Sequence, residues 1–233
     1  MKIEVLADAD AVARRAAGLI ASDARTAAGA RGRFVMAVSG GHTPWAMLRA
    51  LADEDVPWAK VHVLQVDERV APEGDVERNL TQLTASLLEH APLPPGNIHP
   101  MPVDARDLAE GAARYAATLR ALSGTPPVVD LVHLGLGPDG HTASLVPRDP
   151  VLDVMSADVA VAGPYQGRKR MTLTYPAIDR ARRVLWVVTG DDKAIMLQRL
   201  VNADRAIPGG RVEQDCAVVF ADRGAAQKLL PGA

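Results

Sequence analysis

The chain has 233 residues, is 48% apolar and 23% charged, and carries a net charge of −2. That balance fits a globular protein of one large or two small domains and argues against a basic nucleic-acid-binding or membrane-surface role. The single cysteine, Cys216, excludes an intrachain disulfide and a cysteine-built metal site; with neither a signal-peptide core nor a membrane-length apolar run, a cytoplasmic location is expected.

In chain order, residues 2–7 alternate as a short strand, and Asp8 or Asp10 can cap an alanine-rich helix reaching about residue 28. Residues 33–38 (RFVMAV) form a second strand, followed by the turn Ser39-Gly40-Gly41-His42-Thr43-Pro44 and a helix over 45–52. A third strand at 61–66 ends in Asp67-Glu68-Arg69. A polar loop leads to a helix of about 78–90, the proline-rich stretch 92–102 encloses a short strand at 97–99, and Asp104 caps a helix through about 122. Val128-Val129 and Leu131-Val132 read as a buried strand that opens into glycines at 135, 137 and 140. Strands at 159–162 and 170–174 follow, then RVLWVVT at 183–189, a helix to about 201, and a last strand at 217–221 with a short helix behind it. Strands alternating with helices predict a parallel sheet covered on both faces, in a single domain over 1–233.

The stretch LVHLGLGPDGHTASLVP (131–147) presents an acid and a base, Asp139 and His141, at the carboxyl end of a central strand, where open α/β folds do chemistry. Its glycines spell G-x-G-x-x-G, yet a dinucleotide is disfavoured. Pro138 removes a backbone donor, Asp139 would face the pyrophosphate, and Pro147 and Pro150 leave no room for a crossover helix. In the 39–44 turn, Gly40 and Gly41 allow close approach of a ligand, Thr43 adds a hydroxyl, and the helix start favours an anion. His42 reads as a surface residue. AVSGG at 37–41 also mimics a nucleophile elbow, but only one strand precedes it, whereas hydrolase elbows follow several, and no HGGG-type oxyanion segment lies upstream.

Arg69 suits a bidentate grip on phosphate or carboxylate, Arg170 opens the alternation RMTLT, and Lys193 in a first helical turn makes sense beside an anion. Arg168 and Lys169 read as solvated. His133 reads as a packed core residue, and His62, His90, His99 and His133 lack metal-ligand spacing, so no metal is expected.

Taken together, AVSGGHTP (37–44), VDERVAP (66–72) with Asn79-Leu80, LGLGPDGHTASLVP (134–147), RMTLT (170–174) and GDDKA (190–194) resemble the 6-phosphogluconolactonase family, in the family's order. The resemblance implies a Rossmann-like three-layer α/β/α fold with a mostly parallel central sheet, shared with glucosamine-6-phosphate deaminases. It implies hydrolysis of 6-phospho-D-glucono-1,5-lactone in the oxidative pentose phosphate pathway, with a small sugar-phosphate lactone as partner, no cofactor, and a monomer or weak homodimer. By position, His141 is then the general base. Asp139 and Asp67 shape the polar site, and Gly40, Gly41, Thr43, Arg69, Arg170 and Lys193 surround phosphate and sugar. Arg78 stands where relatives often carry serine, which leaves a loop contact there open. A deaminase motif would carry glutamate seven positions after the aspartate; here that position is Val146. A sugar-phosphate sensor of a transcription regulator would carry an N-terminal DNA-binding module, and none is expected ahead of the strand at residue 2.

Overall fold

Buried strands that alternate at period two must offer an apolar side chain to each face, and the inner strands here do so. The structure, a computed structural model, describes residues 1–229. Its strands are β1 (Lys2–Leu6), β2 (Phe34–Val38), β3 (Val61–Gln65), β4 (Asp67–Arg69), β5 (Ile98–His99), β6 (Leu131–Leu134), β7 (Val159–Tyr165), β8 (Arg168–Leu173), β9 (Val184–Val188) and β10 (Ala217–Asp222). Seven of them form one sheet in the order β1-β10-β9-β6-β2-β3-β5, with every ladder parallel.

Phe34, Met36 and Val38 pack on one face with Ile20 of helix α1 (Ala9–Arg31) and Met47 and Leu51 of α2 (His42–Ala52). Their neighbours Val35 and Ala37 pack on the other face, in the core that holds α4 (Leu108–Ser123, with Tyr115 and Leu119) and α6 (Ala194–Val201, with Leu197). Between α2 and α4 in sequence comes α3 (Asn79–Leu83); the short α5 (Tyr175–Asp179) precedes α6, and α7 (Arg223–Ala226) follows β10. Three layers result, as expected. Asp8 rather than Asp10 caps α1, accepting from the Ala11 amide at 2.8 Å, and Gly32 ends the helix with φ +77.

From β2 the chain moves one way to β3 and β5, then returns to place β6 on β2's other side. The carboxyl ends of β2 and β6 therefore flank the point where strand order reverses, and a crevice opens there by construction.

Several expectations are corrected. Asp67-Glu68-Arg69 does not simply end the third strand. It forms β4, the edge of a second, antiparallel sheet ordered β4-β8-β7. The helix expected over 78–90 is the five-residue α3 followed by a π-helical turn, Thr84–Leu88. Asp107, not Asp104, caps α4, because it stands one residue before the first helical turn and accepts from the Ala109 amide at 2.8 Å. Arg168 is not simply solvated: its guanidinium meets Asp75 and Glu77.

Candidate active site

The crevice holds a cavity of about 310 Å³, lined from the large sheet by Gly40, Gly41, Thr43, Gly135, Gly137, His141, Thr189 and Lys193, and from the small sheet's side by Asp67, Arg69 and Asn79. That volume is at the small end of ligand pockets, roughly 300–1,000 Å³.

After β6 the backbone doubles back, with the Gly137 amide donating to the His141 carbonyl (2.8 Å) and the Gly140 amide to the Gly137 carbonyl (3.0 Å). This turn brings His141 Nδ1 to 2.5 Å from Asp139 Oδ1, which also accepts the His141 amide at 3.1 Å. So short a contact with a carboxylate puts the proton on Nδ1, leaving Nε2 the basic nitrogen; Nε2 makes no hydrogen bond among the described residues. Burial alone would raise the Asp139 carboxyl, but the hydrogen bond and charge of His141, with backbone donors, hold it below its usual range.

The fingerprint glycines thus have a local reason unrelated to dinucleotides. A Cβ on Gly137 would fall 2.0 Å from His141 Nδ1, so the imidazole occupies the space a side chain would fill. Gly140 sits at φ +82, and no helix opens after it; the next helical turn is the 3-10 turn Pro150–Asp153.

The β2 turn meets the cavity with backbone. Gly41 precedes the first turn of α2, and Gly40 packs so closely on Asn79 that a Cβ there would lie 1.9 Å from Asn79 Oδ1. Thr43 Oγ1 lies 2.7 Å from Thr189 Oγ1. Among the described residues the buried Ser39 Oγ has no hydrogen-bond partner, and His133 Nδ1 accepts the Ser39 amide rather than its hydroxyl, so none of them acts as a base on the serine. His133 is fully buried, as expected, and burial pushes its imidazole down to about 3. The side chain of His42 lies outside the described residues.

The small sheet supplies charge on a polar frame. Fully buried Glu68 accepts from Gln65 Nε2 at 2.7 Å and from the amides of Arg69, Asn79 and Leu80 at 2.8 Å each, and Arg78, buried too, lies 3.8 Å away. Asn79 then donates to the Asp67 carbonyl (2.9 Å) and accepts from Arg69 at 2.5 Å, while Ser144 Oγ donates to Asp67 Oδ2 at 2.6 Å. Arg69 and Arg170 are direct cross-strand partners on β4 and β8, a like-charge pairing that costs stability unless an anion lies near both. Arg170 is 4% exposed, its Nε has no partner among the described residues, and burial, opposed by Asp67 and aided by Arg69, lowers its guanidinium from the ordinary value. Lys193, in the 3-10 turn Asp191–Lys193, sits 2.9 Å from Asp192.

Of the expected site residues, Gly40, Gly41, Thr43, Asp67, Arg69, His141 and Lys193 meet in one cavity. Asp139 stands behind His141, and Arg170 lines an adjoining cavity of about 260 Å³ that shares Gly41 and Arg69 with the first. Residue-by-residue reasoning missed Asn79, Thr189 and Tyr165. Asn79 was legible as the polar residue closing the loop after D-E-R. Tyr165 carries one signal, a tyrosine at a strand end before Gln166-Gly167. It donates to Asp139 Oδ2 at 3.2 Å, and its hydroxyl lies 3.5 Å from His141 Nδ1. Burial, with the charge of Asp139 and the hydrogen bond to it, raises the phenol above its usual value, against Arg170.

Fold and cavity define a doubly wound α/β protein with an acid–base pair and a cationic rim at its switch point. Residues 7–220 match the family described as glucosamine-6-phosphate isomerases/6-phosphogluconolactonase, and the chain belongs to that family. It is 37% identical over 196 residues to 6-phosphogluconolactonase of Synechocystis, covering 82% of this chain and 81% of that protein. It is 36% identical over 241 residues to 6-phosphogluconolactonase of Mycobacterium tuberculosis, covering 97% and 98%. Its fold matches 6-phosphogluconolactonase from Trypanosoma cruzi with a TM-score of 0.88 at 26% identity, over 99% of this chain and 97% of that one.

Proposed function

We infer that the chain is a 6-phosphogluconolactonase, hydrolysing 6-phospho-D-glucono-1,5-lactone to 6-phosphogluconate in the pentose phosphate pathway. One observation carries the mechanistic reading: a histidine with Nδ1 tied to a carboxylate at 2.5 Å lines the cavity that Arg69 and Lys193 also line.

In the proposed reaction, His141 Nε2 takes a proton from water as the water oxygen bonds to lactone C1. The carbonyl π electrons move onto oxygen, and backbone amides of the 135–141 turn or Arg69 stabilise that oxyanion, a contribution of roughly 10²–10³. The carbonyl re-forms as the bond from C1 to the ring oxygen breaks. The imidazolium returns its proton to the departing ring oxygen, giving the acid and a free hydroxyl. Asp139 holds the ring's tautomer throughout. Arg69, Arg170, Lys193 and the Gly40–Thr43 turn hold the phosphate and sugar, so that binding energy far from C1 orients the carbonyl. The Arg69–Arg170 pairing supports an anion on that side.

The isomerising branch of the family finds less support. Val146 is buried, lies outside the cavity wall, and carries no proton. No helix among the described residues is long and apolar enough to cross a membrane. We further propose one domain acting in the cytoplasm as a monomer or weak homodimer, without nucleic acid.

The test is a pair of assays on the purified chain. Hydrolysis of freshly generated phosphogluconolactone above its spontaneous rate, with no ammonia released from glucosamine-6-phosphate, is expected. The opposite pattern would transfer the protein to the deaminase branch.

A further inference from the structure

The Tyr165 side chain is only partly buried, so core packing does not explain its position. Its backbone is nevertheless tightly specified. The β7–β8 hairpin turns on two residues, Gln166 at φ 53 and Gly167 at φ 79, the conformation that matches the twist of the flanking strands. A register shift between Ala162 and Tyr165 then re-aims the strand end, as bulges beside active sites do.

The side chain so aimed makes four contacts, one of them the 3.5 Å approach of its hydroxyl to His141 Nδ1. Its hydroxyl donates to Asp139 Oδ2 at 3.2 Å, the oxygen that His141 does not use. Its ring meets the imidazole edge-on, with centroids 5.2 Å apart at 60°. The Arg170 guanidinium lies over its face, 5.1 Å from the centroid. We propose that Tyr165 is a positioning residue: it clamps Asp139, and through it the His141 imidazole, and connects that pair to Arg170 on β8. With His141 holding Oδ1 and Tyr165 holding Oδ2, the carboxylate is gripped at both oxygens and its rotation about the side-chain bond is arrested. The kinetic part of this inference rests on the lactonase reading; the structural part does not.

The titratable and charged groups around the imidazole are Asp139 on its own turn, Tyr165 on β7, Arg170 on β8, Asp67 and Arg69 on β4, and Lys193 after β9. Removing the phenol leaves Asp139 one donor short, so the carboxylate holds the imidazole proton more firmly.

Tyr165→Phe keeps the ring and deletes the hydroxyl. For this variant kcat falls roughly five- to tenfold, the worth of one hydrogen bond, KM stays within about twofold, and the acid limb of the rate profile moves to higher pH. In protein labelled with ¹⁵N-histidine, the Nδ1–H resonance of His141 shifts, whether or not the lactone is the substrate. Tyr165→Leu also removes the ring beneath Arg170, so KM rises as well. A merely structural tyrosine would change the melting temperature and leave the acid limb and the resonance where they were. Wild-type values of kcat, acid limb and Nδ1–H resonance in Tyr165→Phe would overturn the clamp, and equal KM in the Phe and Leu variants would overturn the link to Arg170. If the wild type hydrolyses no lactone, the functional reading fails while the resonance still decides the clamp.

Discussion

The two sheets contribute to the cavity in different ways. The large parallel sheet brings backbone, glycine turns and one imidazole to its carboxyl edge, and it is held by apolar burial on both faces. The small antiparallel sheet brings Asp67, Arg69 and Arg170, and on β4 its packing is polar, organised by a fully buried glutamate with four hydrogen bonds. One region sets where the reacting group stands, and the other sets the charge that faces it. Substitutions in the first should therefore move stability or the imidazole, whereas those in the second should move substrate affinity.

The largest expected effect tests the apolar half. Phe34→Ala empties a fully buried site on β2 and should cost about 3–5 kcal/mol in urea unfolding, while kcat of the still-folded fraction stays at the wild-type value. A large fall in kcat at constant folded fraction would mean that the core is not separable from the site. Next comes Gly137→Ala, whose methyl group collides with the imidazole. Turnover should drop by about 10², the usual result of a misplacement near 1 Å, with a wild-type melting curve; unchanged turnover would show that the ring is not held where its neighbours put it. Asn79→Ala removes one of the two acceptors that hold Arg69 Nη1, the other being the Glu77 carbonyl, and should raise KM about fivefold, as the loss of one hydrogen bond does, leaving kcat nearly constant. A kcat effect without a KM effect would reverse the roles given to the two sheets.

The last effect is absent at neutral pH and appears only in acid. His133 is neutral in the fold, at about 3, against roughly 6.5 when unfolded. The unfolded chain thus binds the extra proton, so this contribution to stability is complete above about pH 6.5 and is lost as pH falls toward 3, at up to about 1.4 kcal/mol per pH unit. His133→Asn should flatten the melting temperature against pH in that window. A slope equal to wild type would assign the acid sensitivity to other groups, such as the His62–His99 pair at 3.1 Å, whose imidazoles are also lowered by burial.

What the sequence disclosed follows the same division. Strands β2, β3 and β9 were legible within one residue or so because each is an apolar run bounded by turn residues, whereas β6, expected from residue 128, begins at Leu131. The turn holding Asp139 and His141 was legible because three glycines, a proline, an acid and a base in seven residues leave few alternatives. The small sheet was legible only in part: β7 and β8 were expected as strands at 159–162 and 170–174, but not as one antiparallel sheet with β4. Its β4 is three charged residues long and pairs with β8 about a hundred positions later, so no local pattern marks it. Tyr165, marked only by the Gln166-Gly167 that follows it, was missed for a related reason, since its position depends on a hairpin turn and a bulge rather than on residue type. Helix 78–90 was overread because its periodicity continues through Thr84–Leu88, where the helix widens by one residue per turn.

The account depends most on His141, and one measurement addresses it directly: hydrolysis of fresh 6-phosphogluconolactone by His141→Ala, with 6-phosphogluconate affinity determined on the same sample. The predicted result is a loss of about 10²–10⁴ in kcat with product affinity unchanged, because the cations that grip the phosphate are untouched. Turnover close to wild type would contradict the assignment of the base and, with it, the division of labour between the two sheets.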